Sequence, residues 1–165
     1  MEHVSDAAPW LLWLQDGQVG RAMRQSIVLY PGVEVLHILG MAVLIGAILC
    51  MDLRLIGAAR AIPARILARH LLPVALSGFA LAVPMGFLLF VTEAAALSKN
   101  PAFLVKLCLI ALAGLNAAVF HLGPWRSVAS WDSTIRPPFA ARVFGAASIV
   151  LWLSVATSGR LIAYL

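Results

Sequence analysis

The chain has 165 residues, of which 62% are hydrophobic and only 12% charged, with a mean hydropathy of +0.97 and a formal charge of +5. A charged share roughly half that of a soluble domain cannot cover a water-facing surface, so composition excludes a soluble globular protein and defines an integral membrane one in contact with a lipid bilayer. Nucleic acid is excluded as a partner, because the basic residues lie between apolar runs and not along one polar face.

No secretory signal is expected at the start. Glu2 and Asp6 stand where a basic region would be, and the apolar run Trp10–Leu14 is too short for a signal core. Residues 5–16 read as a short interfacial helix. Ser5 or Asp6 caps it, and Trp10, Leu11, Trp13 and Leu14 form an amphipathic patch suited to the headgroup level.

Residues 17–30 carry Arg21 and Arg24 and lead into a first span over about residues 28–53. Pro31 and Gly32 start or kink it, and Asp52 and Arg54 mark its far end. Glu34 and His37 stand in its first two turns; three residues apart, they share a helix face. The connector that follows holds Arg60 and Pro63 and runs on through Arg65 and Arg69. A second span covers about residues 70–92, with Pro84 expected to kink it and Gly78 and Gly86 allowing close approach of a neighbour. Residues 93–100 form a polar turn. Pro101 fits the first turn of a third span over about residues 101–123, which contains Lys106, Asn116 and His121. Ala113, Ala117 and His121, spaced by four, form a small-residue stripe ending in the imidazole. Gly123 and Pro124 stop this helix. A polar connector with Trp125, Arg126, Trp131, Asp132 and Arg136 leads to a fourth span over about residues 139–164. There Ser154 and Ser158 suit close packing, and Arg160 lies near the end.

The predicted fold is all-α, a single transmembrane four-helix bundle with an amphipathic N-terminal helix. Four spans place both termini on one side. The two Arg-rich connectors then lie in the cytoplasm and both termini in the periplasm of a bacterial inner membrane, although Arg21 and Arg24 oppose that bias. Cys50 and Cys108 fall near opposite ends of their spans, so no disulfide is expected, and no CxxC or other Cys/His metal spacing occurs.

Depth follows from the helical rise of about 1.5 Å per residue. Glu34, His37, Lys106 and Arg160, joined by Glu93 at the end of the second span, fall in one outer layer on four different helices. One reading is structural: Glu34 neutralises Lys106 or Arg160, since a lone charge facing lipid is costly. The other is a binding site in which two cations, a carboxylate and an imidazole hold a quinone head group, haem propionates or an anionic solute. An inner layer contains His121, His70 and, about a turn and a half deeper, Asn116. His70 and His121 could pair on a haem b, or His121 could bond a carbonyl or Asp132. His37 and His121 are the two candidate haem-iron ligands. Their depths differ by more than half the roughly 30 Å hydrocarbon thickness, which argues against one shared iron. Phosphate-binding loops, dinucleotide fingerprints, nucleophile elbows and zinc-protease motifs are absent, and nothing in the chain points to a self-contained enzyme.

Several motifs carry a resemblance. Trp10-Leu-Leu-Trp-Leu-Gln15, Tyr30-Pro with Glu34 and His37, Met51-Asp-Leu-Arg-Leu-Ile-Gly57, Lys106-Leu, Ala113-Gly-Leu-Asn-Ala-Ala-Val-Phe-His121, Trp131-Asp132 and Gly159-Arg-Leu-Ile-Ala-Tyr164 are spread over nearly the whole chain. With them the chain resembles an uncharacterised family of small bacterial four-span membrane proteins. The resemblance implies that Glu34, His37, Lys106, Asn116, His121 and Arg160 belong to the family pattern, that His70 does not, and no activity. A looser architectural similarity is to four-helix b-type cytochromes and the membrane domain of copper-resistance proteins. Three functions stay open: a redox-associated protein binding haem b or quinone; a small transport or channel component; and a structural subunit of a larger membrane complex or a homo-oligomer.

Overall fold

The computed structural model describes residues 8–132 and 136–164, and among these every regular element is helical. The order is α1 (Pro9–Gln15), α2 (Gln18–Gln25), α3 (Leu29–Ile56), α4 (Ala64–Thr92), α5 (Ala94–Leu97), α6 (Pro101–Leu122), a 3₁₀ helix (Pro124–Ser130) and α7 (Phe139–Leu161). Four of them, α3, α4, α6 and α7, are long and apolar enough to cross a membrane.

The ends of these helices follow from local chemistry. The Ser26 hydroxyl accepts from the Leu29 N–H at 3.0 Å, and Pro31 lies in the first turn of α3, where no N–H is needed. Gly57, at φ 120°, ends α3 in a conformation that a side chain would oppose. Asn100 caps α6 by accepting from the Phe103 N–H at 3.1 Å, and Pro101 occupies the first helical position.

Three boundaries differ from the sequence reading. The N-terminal segment forms two helices, with a turn at Asp16–Gly17, and the expected start at residues 5–7 lies outside the described residues. α4 begins at Ala64, six residues before the expected start, because its first turn is capped from a distant segment. The Asp132 carboxylate accepts from the Arg65 N–H at 2.8 Å, and the Asp132 carbonyl accepts from the Ala64 N–H at 3.0 Å. The third-to-fourth connector is a packed 3₁₀ helix. Its Val128, with the adjoining Trp131, joins Leu55, Ala64, Phe120 and Ala141 in a buried cluster.

α3 is the central helix: it packs against α4 on one side and α7 on the other, and α7 packs against α6. The α3–α4 seam is made by small residues. A methyl group at Gly40 would meet the Ala82 backbone nitrogen at 2.7 Å, and one at Gly78 would meet the Leu44 nitrogen at 2.6 Å. Such backbone proximity is what small residues permit between membrane helices. Leu44, Ala47, Ala75, Ala113, Trp152 and Val155, from all four long helices, form the mid-bundle core.

The α1–α2 hairpin is bound to the other end of α4. Arg24 donates to the carbonyls of Gln15 (2.8 Å) and Thr92 (2.9 Å) and pairs with the Asp16 carboxylate at 3.1 Å. Arg21 donates to the Asp16 carbonyl at 2.6 Å. The two arginines that opposed the charge bias thus serve as donors to open carbonyls at helix ends. Leu11 is buried while Trp10 and Trp13 stay exposed, so the single patch expected of Trp10, Leu11, Trp13 and Leu14 is divided, with its tryptophans facing outward.

Candidate functional site

His37 is half-buried on α3 and leans onto α4. Its Nδ1 lies 2.8 Å from the Ala82 carbonyl oxygen, which accepts but cannot donate, so Nδ1 carries the proton and Nε2 is left with its lone pair when the ring is neutral. The ring rests on Gly86, where a methyl group would meet Cε1 at 2.8 Å. Gly78, Ala82 and Gly86, spaced by four, form the surface that receives it.

Lys106 repeats the arrangement on the other helix pair. It is half-buried on α6 and lies over Gly159 of α7, where a methyl group would sit 3.3 Å from Nζ. Its charge is within electrostatic reach of the His37 ring. Beside them, Phe90 at the end of α4 and Phe103 at the start of α6 stack with centroids 5.4 Å apart.

The remaining members of the outer layer divide. Glu34 is exposed and forms no ion pair with Lys106 or Arg160; it and Glu93 act electrostatically on Tyr30. The expected neutralisation of Lys106 or Arg160 by Glu34 is therefore not formed. Arg160 is exposed and donates to the Tyr164 hydroxyl at 3.0 Å, with its guanidinium 5.2 Å from the centre of that ring. Lys106 thus acts electrostatically on the His37 ring, while Glu34 and Arg160 form no ion pair with either.

At the other end, His121 is exposed, bonds the carbonyl of its own helix at Ala117 (2.8 Å) and touches Phe120 and Trp125. The simpler expectation for it holds. Ala117 is exposed too, so the stripe through Ala113, Ala117 and His121 is not a packing face; only Ala113 is buried. His70 bonds its own helix at Ile66 O. Asn116 donates to the Phe144 carbonyl at 3.2 Å and ties α6 to α7. His37 and His121 lie at opposite ends of the bundle, so they share no iron. No group of three or more metal-ligating side chains occurs among the described residues.

Sequence reading gives Arg54 and Asp52 no role beyond marking the end of the first span, and Asp132 only that of a possible partner for His121. Arg54 is 1% exposed and donates to the carbonyls of Ile62 (2.7 Å) and Asp132 (2.8 Å), joining both Arg-rich connectors. Asp52, 5% exposed, faces Ser148 of α7. The only signal available was their place just inside a span end, which interfacial residues share.

Four long apolar helices with polar side chains held between them define a multi-pass helical membrane protein. The chain belongs to a family of unknown function (DUF6644), which matches residues 15–165. No curated protein and no solved structure matches it.

Proposed function

We propose that the protein is redox-associated and binds the head group of a membrane quinone at His37 and Lys106. The observation that carries this reading is a directed imidazole beside an ammonium. The Ala82 carbonyl holds Nδ1–H, which leaves Nε2 as an acceptor for a quinol hydroxyl, while Lys106 donates to the opposite oxygen. The Phe90–Phe103 pair supplies an apolar wall for the ring. Haem b with His37 as ligand is the competing occupant. A second reading, a structural subunit of a larger membrane complex, is favoured by one fact: both side chains lie over glycines of neighbouring helices, which fixes helix register.

The site lies at the periplasmic end of a bacterial inner-membrane protein in this reading, with both termini on that side and the Arg-rich connectors in the cytoplasm. Arg60, Arg65, Arg69, Arg126, Arg136 and Arg142 support that orientation, and the carbonyl contacts of Arg21 and Arg24 remove the main objection to it.

The test is quinone content and visible absorption of the purified protein, with His37→Gln and Lys106→Met beside the wild type. Co-purifying quinone that falls about tenfold in each variant, the equivalent of roughly 1.4 kcal/mol, is expected. A Soret band with sharp reduced α and β bands would assign haem instead. A colourless protein that neither retains nor takes up quinone would leave the structural reading.

A further inference from the structure

Asp52 differs from every other carboxylate described. It is 5% exposed, and one of its oxygens, Oδ2, has no hydrogen-bond partner. It sits at a close contact of α3 and α7: a methyl group on Gly145 would meet the Asp52 carbonyl oxygen at 3.1 Å and Leu55 Cβ at 3.0 Å. Across that contact stands the Ser148 hydroxyl, itself buried.

Among the described residues, no cation reaches it. Arg54, two residues on, points away to the carbonyls of Ile62 and Asp132. Arg142, one turn before Gly145 on α7, forms no ion pair with Asp52. On α6, Asn116 is bonded to Phe144 O, and His121 is exposed and bonded to Ala117 O. On α4, Arg65, Arg69 and His70 are exposed. An ionised carboxylate in an apolar helix contact, without a cation and with one oxygen unbonded, is far costlier than the neutral acid.

We infer that Asp52 is a proton-binding site, a carboxylic acid held between α3 and α7 and reached from the end that bears the Arg-rich connectors. The path is short: Asp52 lies four residues from the end of α3, roughly 6 Å along the axis. Arg54 Nη1 and Arg142 Nε, at the same end, are also buried without partners, and such atoms are places for ordered water, which conducts protons. The proton resides on one Asp52 oxygen, and the buried Ser148 hydroxyl faces the carboxyl from α7. The site is separate from His37 and Lys106, and the inference does not rest on their occupant.

Infrared spectra of the full-length protein in liposomes at neutral pH test this. The expected result is a protonated carboxyl stretch that moves in D2O, disappears in Asp52→Asn and shifts in Ser148→Ala, which removes the one hydroxyl facing the carboxyl from α7. Absence of the band in the wild type, or its persistence in Asp52→Asn, overturns the inference. A band that appears only when sodium is removed assigns the site to a metal cation and overturns it as well. Should Asp52→Asn fail to assemble, Ser148→Ala decides: a band it does not move belongs to another carboxyl.

Discussion

Two glycines hold the two polar side chains of the candidate site, and each can be tested by one methyl group. Gly86→Ala places a carbon 2.8 Å from His37 Cε1, so the ring must leave and its bond to Ala82 O is lost. We expect a destabilisation of about 1–3 kcal/mol, measured by thermal unfolding in detergent, together with a loss of whatever His37 binds. Asp132→Ala removes the carboxylate that caps α4 and is expected to cost about 0.5–2 kcal/mol by the same measurement. Asp132→Asn, which keeps an acceptor, should recover most of it. At this scale the sequence was only partly legible. Glu34 and His37 were read as sharing a face, yet Glu34 is exposed and His37 half-buried. Three residues leave a rotation of about 60° between them. The seam that decides which one turns inward runs through Val33, His37, Gly40, Leu44 and Ala47. The Asp132 cap could not be seen, because it comes from a segment almost seventy positions away.

At the scale of the element, the two membrane helix pairs differ in how they are held. α3 and α4 meet backbone to backbone at Gly40 and Gly78, where no flexible side chain can yield. Gly40→Ala and Gly78→Ala should each destabilise by about 1–3 kcal/mol or more, since the helices must separate. Gly46 and Gly114 have open space where a methyl group would go. Substituting alanine there should stabilise the helix by roughly 0.5–1 kcal/mol, and the contrast between the two pairs, read from unfolding midpoints, separates close approach from helix propensity. The spans themselves were legible from run length and hydropathy, as was the start of α6 at Pro101; the separation of buried Leu11 from exposed Trp10 and Trp13 was not. The early start of α4 and the 3₁₀ helix were not. Both depend on contacts between the two connectors, where polar residues read as solvent-facing until Arg54 and Asp132 are seen to join them.

For the whole molecule, the two ends of the bundle are unequal, and the proposed orientation rests on that difference. The α1–α2 hairpin uses Arg21 and Arg24 as carbonyl donors, whereas the opposite end presents unpaired exposed arginines such as Arg65 and Arg69 beside a groove of about 350 Å³ shared with Asp132. A reporter active only outside the cytoplasm should work when fused after Leu165 and fail when placed in the connector between Ser130 and Phe139. The reverse pattern would invert the orientation. Depth along each helix, which the sequence does give, puts His37 and Lys106 at one level, and Lys106 acts electrostatically on the His37 ring. Rotation about each helix axis, which it does not give, removed Glu34 and Arg160 from them.

The central position of α3 also bears on how the protein is made. As the chain leaves the ribosome, α3 and α4 are available to pair early through their glycine seam. The other face of α3, with Asp52 on it, has no cover until α7 has been synthesised, and α7 follows all the other described helices. During that interval an acidic side chain is presented to lipid or to the insertion machinery. A chain that stops before α7 would keep it there, and that exposed acid is the kind of mark by which membrane quality control distinguishes an unfinished bundle from a finished one.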